Sequence, residues 1–213
     1  LSRWCVTNIT VMPGGWDWRN LMTPELSPVW GTCPFRGTML LKFTKDESKG
    51  ALRIGVATEN NIDQYGYIVN DATGVVEAEI VGFTTASLGS GDWTLYCKSN
   101  MLTSGVTVAD LVVKASGDGL TRVVSWSEVP VKSTHVYNQS QSDGVSTNLV
   151  KVPATRPNST QTDLSNFFYG CELLNDPNIS NWNMTGVTNL INFFRNCKAF
   201  NQPLDNWDVS AVQ

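Results

Sequence analysis

Residues 162–213 decide the fold, and they read TDLSNFFYGCELLNDPNISNWNMTGVTNLINFFRNCKAFNQPLDNWDVSAVQ. Within this stretch, identical residues recur 26 positions apart. The matched pairs are Thr162/Thr188, Leu164/Leu190, Asn166/Asn192, Phe167/Phe193, Phe168/Phe194 and Cys171/Cys197. The spacing shortens to 25 after Asn178, so that Trp182 corresponds to Trp207. A tandem repeat of this length predicts two stacked units, because one unit alone cannot bury its apolar face.

The repeated aromatic and cysteine side chains are predicted to form ladders in the core of the stack. Each aromatic ring of the first unit should lie against its counterpart in the second. The paired cysteines are expected to be buried small apolar side chains rather than a bridge, and the repeated asparagines to bond to backbone groups of the adjacent coil. The predicted ladder residues are Phe167, Phe168, Cys171, Trp182, Phe193, Phe194, Cys197 and Trp207.

Two segments, FFYGCELLNDPNISNWNMTGVTNL (167–190) and FFRNCKAFNQPLDNWDVSAVQ (193–213), resemble the 26-residue leucine-rich repeat of BspA-like surface proteins. The first unit departs from that pattern at Tyr169-Gly170. The resemblance implies an α/β solenoid of the kind carried by secreted bacterial adhesins and by phage and giant-virus particles. It also implies a role in attachment rather than catalysis. Two units are fewer than the roughly three that such a stack needs for independent stability, so we expect either further repeats beyond Gln213 or a cap supplied by the β domain or a partner subunit.

Upstream of the repeats, residues 1–132 carry short β-type runs separated by turn signals. Apolar Val76, Ala78 and Ile80 alternate with two glutamates, which is typical of a half-buried strand. The triplet at 117–119, Gly-Asp-Gly, predicts a hairpin turn. The spacing of the runs predicts an antiparallel sandwich or barrel. The predicted fold class is therefore a mainly β N-terminal domain followed by a short α/β leucine-rich-repeat solenoid.

Between these two parts, residues 133–161 lose the apolar periodicity and are rich in Ser, Thr, Asn, Gln and Pro. Such a composition predicts a polar linker or an extended arm. The sequence thus predicts three segments: a β-rich domain at 1–132, the linker at 133–161, and the repeats at 162–213.

Charge and hydropathy exclude two classes of partner. Charged residues make up 16% of the chain and its net charge is −4, so no basic excess favours nucleic acid. No run of 18 apolar residues occurs, which argues against membrane insertion. The abundance of Asn, Ser, Thr and Gly is typical of β-rich extracellular or virion proteins.

Catalytic and metal-binding patterns are missing from the sequence. His135 is the only histidine and lies in the predicted linker, so the usual triads lack their base. No C-x-x-C pair or calcium loop occurs, and Cys5, Cys33 and Cys97 leave one disulfide open without fixing its pairing. We predict no catalytic residue, no metal site, no cofactor and no enzymatic activity.

Three tryptophans, Trp16, Trp18 and Trp30, lie in a Gly/Pro-rich stretch. Tryptophans more often fill a core, and the alternative for these three is that they stack on a glycan or contact another subunit.

We favour a non-enzymatic structural or surface protein of a bacteriophage virion. It would be a component of the tail, a fibre or the capsid decoration, and it would serve assembly and attachment to the host surface. Its expected partners are other virion or surface subunits, further copies of itself in a homo-oligomer, and a glycan or protein on the host surface. The expected location is the virion surface. One alternative is a secreted bacterial cell-surface adhesin, located extracellularly or on the cell surface. A second is a carbohydrate-binding or carbohydrate-active module.

Overall fold

The computed structural model describes residues 38–58, 65–97, 110–127, 131–136, 146–157 and 160–213. The chain divides into two compact units, Leu1–Gly37 and Thr38–Gln213. All of the described residues lie in the second unit.

The described residues between 38 and 136 form eight strands. Their bounds are β1 Thr38–Lys45, β2 Leu52–Thr58, β3 Tyr65–Asn70, β4 Val76–Ala86, β5 Gly91–Cys97, β6 Leu111–Ser116, β7 Leu120–Trp126 and β8 Ser133–His135. Their spatial order is β7-β1-β5-β3-β4-β2-β6-β8. Neighbouring strands are antiparallel except for β6 and β8, which are parallel. Two 3-10 helices, Glu47–Lys49 and Pro177–Asn181, complete the regular structure of the described ranges.

Strand β4 belongs to two sheets. Its first part pairs with β3, and its second part, from Gly82 onward, pairs with β2. Gly82 has a φ of 62°, a left-handed conformation that bends a strand at little cost only when the residue is glycine. Gly55 of β2 lies opposite this bend, and a Cβ there would be 2.6 Å from the Cα of Phe83. The bend therefore depends on glycine in both strands.

The inner faces of the two sheets contribute to one apolar core. Leu41, Phe43 and Leu95 come from the β1 and β5 side, and Ile54 and Val56 come from β2, all of them fully buried. Their alternation along the strands follows from the two-residue period of β-structure, which sends successive side chains to opposite faces. The mixture of aromatic and branched side chains fills the space between the sheets.

The turn at 117–119 is not the hairpin predicted from the sequence, because β6 and β7, which it joins, lie far apart in the strand order. It is a corner that packs against the turn after β1. The amide of Gly119 donates to the Ala51 carbonyl at 3.0 Å, and the amide of Asp46 donates to the Gly119 carbonyl at 3.0 Å. A Cβ on Gly119 would lie 2.5 Å from the Gly50 carbonyl oxygen. Here glycine permits the close approach of two backbones.

The predicted fold class is wrong, because the repeat region holds no α-helix in the part of the chain that the structure describes and forms no α/β solenoid. Residues 164–171 form successive turns instead. Their bonds run from the Phe167 amide to the Leu164 carbonyl, from Tyr169 to Asn166, and from Cys171 to Phe168. Asn166 and Gly170 have φ values of 56° and 75°. Left-handed residues four positions apart cannot belong to a right-handed helix, so the described fold is mostly β.

We call residues 162–187 the first coil and residues 188–212 the second coil. The second coil repeats the turns of the first, with Asn192 and Asn196 at φ values of 56° and 63°. Asp163 and Asn189 form an isolated parallel bridge between the two coils. The coils are therefore held by turns and by contacts with each other.

Residues 146–157, which we call the half coil, lie between β7 and the first coil. On one side the Val123 amide of β7 donates to the Lys151 carbonyl at 2.9 Å. On the other side the Asn178 side-chain amide donates to the Val152 carbonyl at 2.7 Å. One apolar core consequently runs from the sheets into the repeats. The boundaries predicted at residues 132 and 161 stay predictions, although β8 and the half coil fall inside the predicted linker. Across the described ranges, no helix has the length and apolar character needed to cross a membrane.

Candidate functional site

Aromatic rings stack from one coil to the next. The ring centroids of Phe167 and Phe193 are 5.9 Å apart with an interplanar angle of 15°, and those of Phe168 and Phe194 are 6.1 Å apart with 13°. Within each coil the two phenylalanines meet edge to face, at 4.8 and 4.6 Å. Both arrangements suit the aromatic quadrupole. The four rings form one continuous column across the two coils.

Three tryptophans join the layers of the stack through hydrogen bonds from their indole N–H groups to backbone carbonyls. The indole N–H of Trp126 donates to the Thr155 carbonyl at 2.7 Å, and that of Trp182 donates to the Pro153 carbonyl at 3.0 Å. Trp207 repeats the bond to the Ile179 carbonyl at 3.0 Å. The ring of Trp182 also meets that of Trp126 at 6.2 Å and 81°. Trp126, on β7, thereby connects the sheet to the first coil.

The half coil takes the place of a preceding repeat. Pro153 accepts from Trp182 as Ile179, 26 residues later, accepts from Trp207. The Thr147 carbonyl likewise accepts the Leu173 amide at 3.2 Å, 26 residues further along the chain. Sequence reasoning missed this role because the half coil contributes backbone carbonyls, which every residue type carries.

The repeated asparagines form direct contacts between the coils. The Asn192 side-chain amide donates to the Asn166 side-chain oxygen at 3.1 Å. The Asn175 side-chain oxygen accepts from the Asn201 amide at 2.9 Å and from the Gln202 side chain at 2.8 Å. These side chains are exposed or partly buried, and each finds a hydrogen-bond partner in the adjacent coil. The contacts therefore fix the register of one coil on the other.

The two repeated cysteines are free thiols. Burial raises the pKa of Cys197 to about 11, and burial followed by the neighbouring Cys197 raises the pKa of Cys171 well above its usual value. The Cys197 Sγ lies 3.0 Å from the Phe168 carbonyl oxygen, to which its S–H donates. Only a thiolate is a strong nucleophile, so these cysteines are poorly suited to covalent chemistry at neutral pH.

The outer surface of the second coil carries a largely apolar groove of about 580 Å³. We call this surface the end face. It is lined by Leu190, Asn192, Phe193, Phe194, Arg195, Leu204, Trp207 and Val209. Arg195, whose guanidinium lies 5.6 Å from the centre of the Tyr169 ring, is the one charged side chain of this lining. Such a surface favours an apolar partner.

Side chains at the end face are more exposed than their counterparts in the first coil. Met184 is 1% exposed and Val209, at the same repeat position, is 48% exposed. Leu164, Phe168, Cys171 and Trp182 are all buried, whereas Leu190, Phe194, Cys197 and Trp207 are only partly buried. The first coil is covered on both sides, by the half coil and by the second coil. The end face of the second coil is covered by no other described residue.

Backbone amides of the two coils differ in the same way. Four amides of the first coil each donate to a carbonyl of the second, at 2.8 to 3.0 Å. The pairs are Leu164 to Asn189, Asn166 to Ile191, Phe168 to Phe193 and Gly170 to Arg195. The equivalent amides of the second coil are those of Leu190, Asn192, Phe194 and Asn196. No carbonyl in the described part of the chain accepts from them, so they form a row of open donors.

A second candidate is the pair formed by Ser133 and His135 on β8. The Ser133 Oγ lies 3.1 Å from the His135 Nε2, a contact that sequence reasoning did not foresee. Burial, followed by the positive charge of Lys114, lowers the pKa of His135 to about 4, against the opposing charge of Asp163. A general base works best when its pKa lies near the working pH. The pair is therefore a weak candidate for nucleophilic catalysis.

Trp16, Trp18 and Trp30, together with Cys5 and Cys33, are outside the described residues, and their predicted roles stay predictions. Among the residues that are described, no group of three or more His, Cys, Asp or Glu side chains could hold a metal ion.

The fold and the site together define the class of protein: a β-sheet unit that carries a short stack of repeat coils with aromatic cores. Residues 152–213 match the family model described as "Mycoplasma protein of unknown function, DUF285". The match covers part of the half coil and both coils and leaves out the strands. Neither a curated protein nor a solved structure matches the chain.

Proposed function

We propose that the chain is a non-enzymatic surface protein that works by assembling with other subunits through the end face. The observation that carries this proposal is the exposed aromatic groove, held by a core that continues into the sheets. A rigid support of this kind lowers the conformational entropy lost on binding. The function is therefore one of contact and attachment, in line with the resemblance to BspA-like repeats.

The first proposed location is the surface of a virion, as a structural component that contributes to host attachment. The second is the surface of a bacterial cell, and one observation favours it: the matching family model is named for Mycoplasma proteins. Both locations require a protein that is accessible from outside and that binds rather than transforms its partner.

Fractionation separates the two locations. A fixed copy number in purified particles supports the virion, and removal from intact cells by an external protease supports the cell surface. Recovery only from the interior of cells, in the absence of particles, would refute both.

A pair of leucine substitutions tests assembly through the end face. Leu204 lines the groove, whereas Leu173 is 53% exposed on the first coil and does not line it. Leu204→Asp should abolish incorporation into the particle or the surface layer, because a carboxylate would have to lose its water in an apolar contact. Leu173→Asp, the matched control, should assemble normally. Normal incorporation of both variants, or hydrolysis of a glycan by the purified chain, contradicts the proposal.

A further inference from the structure

We propose that the outer face of strands β2, β4 and β6 binds an oxyanion group, such as a carboxylate or a sulfate. Three side chains carry this site, Arg53 of β2, Phe83 of β4 and Lys114 of β6, and we call them the basic patch. The inference goes beyond the proposed function, because the basic patch lies on the strands and shares no residue with the lining of the end face.

Strand register brings the three side chains of the basic patch together. Gly55 of β2 lies opposite Phe83 of β4 and opposite Lys114 of β6, and Arg53 precedes Gly55 by two residues. The strand neighbours of Arg53 and Lys114 belong to the buried core, so the two-residue period of β-structure turns these two side chains to the outer face. All three side chains of the patch are only partly buried, and a ligand can therefore reach them from solvent.

One aromatic ring positions both cationic side chains. The guanidinium carbon of Arg53 lies 4.8 Å from the centre of the Phe83 ring, and the ammonium nitrogen of Lys114 lies 5.9 Å from it. The negative face of an aromatic ring attracts a cation, and a guanidinium that stacks on a ring still presents N–H groups at its edge to two oxygens of one oxyanion. Because the ring orders these side chains beforehand, less conformational entropy is lost when a ligand binds.

Lys114 forms no ion pair within the described ranges. Other lysines do: the ammonium nitrogen of Lys42 lies 3.0 Å from a carboxylate oxygen of Asp71, and that of Lys198 lies 2.7 Å from one of Glu172. The whole chain has a net charge of −4, so a pair of cations beside one ring is a local feature. Two like charges at this separation repel each other, and an oxyanion bound between them would offset the repulsion.

His135 borders the basic patch and can report on its charge. It lies opposite Lys114 in the parallel register of β6 and β8. Burial, and then the positive charge of Lys114, lowers the pKa of His135 to about 4, against the opposing charge of Asp163. An oxyanion bound at Lys114 would counteract the lysine charge and raise the pKa of His135. Since His135 is the only histidine of the sequence, its imidazole signals in an NMR spectrum are unambiguous.

The alternative is a purely structural role, in which Arg53 and Lys114 only shield the Phe83 ring from water. Under that alternative, substitutions in the patch would change stability, and added oxyanions would leave the His135 signals where they are. Ligand-dependent shifts at His135 therefore separate binding from shielding.

The experiment is an NMR titration of the full chain at neutral pH with sodium sulfate or sodium glucuronate, at an ionic strength held constant with sodium chloride. The imidazole signals of His135 and the amide signals of β2 and β6 should shift in a saturable way, and uncharged glucose should shift neither. Lys114→Gln should weaken binding at least about tenfold, because a charge-assisted hydrogen bond is lost, whereas Lys114→Arg should retain it. Lys49→Gln, the matched control, removes one lysine charge from the exposed 3-10 helix and should bind as the unaltered chain does.

A second measurement follows the pKa of His135 in the folded protein by NMR, which should be higher with sulfate than with chloride. Saturable shifts with both salts, or with one of them, support the site and show which oxyanion it accepts. The absence of a saturable shift with either salt would overturn the inference, and so would equal binding by Lys114→Gln and Lys49→Gln. These results do not depend on the end face, so they stand or fall separately from the proposed function.

Discussion

Trp182 and Trp207 occupy the same position in successive coils, and replacing each by alanine should cost very different amounts of stability. Trp182 is 1% exposed and its ring meets those of Trp126, Phe167 and Phe168. Trp207 is partly exposed at the end face. Since both indoles donate to a carbonyl at 3.0 Å, the lost hydrogen bond is the same in the two variants. The difference in cost comes from burial.

Truncating a fully buried tryptophan costs about 3 to 5 kcal/mol, and we expect Trp182→Ala to fall at about 4. Trp207→Ala leaves a gap that solvent partly fills, and about 2 kcal/mol is expected on the basis of reduced apolar burial. With a urea dependence of about 2 kcal/mol per molar, the two midpoints should fall by about 2 M and 1 M. Trp182→Phe, which keeps most of the ring contacts, gives a measurable value if the alanine variant does not fold.

Equilibrium unfolding in urea, monitored by far-ultraviolet circular dichroism, provides these values. Because one core joins sheet and coils, the loss in Trp182→Ala should appear in the strand signal and in a single transition. Equal costs for the two alanine variants would refute the reasoning from burial. A separate transition of the sheet, unaffected by Trp182→Ala, would refute the continuous core.

Gly55→Ala should cost more than about 4 kcal/mol or prevent folding, because the new Cβ would overlap the Gly82 carbonyl oxygen. In Gly186→Ala the new Cβ meets no atom within 4 Å, at a φ of 78°, and the change should cost only about 1 to 2 kcal/mol of backbone strain. Similar thermal midpoints for the two variants would contradict the conclusion that β2 and β4 are in close contact at Gly55. For His135, burial and then Lys114 lower the pKa in the folded protein to about 4, below the ordinary value of 6.5. The unfolded chain therefore binds the proton more readily, and stability should fall by up to about 3 kcal/mol as the pH drops from 6.5 to 4. In His135→Gln that decline should be smaller by this amount; identical pH profiles of urea unfolding would show that His135 does not cause it.

Repeat spacing indicated which residues recur in the coils but not the conformation of the backbone between them. The 26-residue period identified Phe167 and Phe193 as equivalents, and their rings lie 5.9 Å apart. The same stretch was assigned to an α/β unit, and that assignment is wrong because Asn166 and Gly170 are left-handed. Asparagine and glycine favour this conformation without requiring it, so a single sequence leaves turn and helix open.

Contacts between distant parts of the chain were harder to predict than the elements themselves. The turn at 117–119 was recognised from its Gly-Asp-Gly triplet, yet the strand neighbours on either side depend on the whole sheet order. Trp126 gave no local sign that it would meet Trp182. The half coil contacts the first coil through the backbone carbonyls of Val152 and Pro153. Every residue type has such a carbonyl, so the sequence does not show which ones will accept a hydrogen bond.

Four backbone amides of the first coil all donate to carbonyls of the second coil, and this shared direction bears on how such a protein can change length. Every added coil would receive the four amides of the coil before it and offer four identical amides in turn. Duplicating a 26-residue segment of the gene would therefore lengthen the molecule without altering the sheets or the half coil. The distance that the molecule spans from a surface could then change by one coil at a time, through one duplication or deletion. The outermost coil would present the same groups after each change.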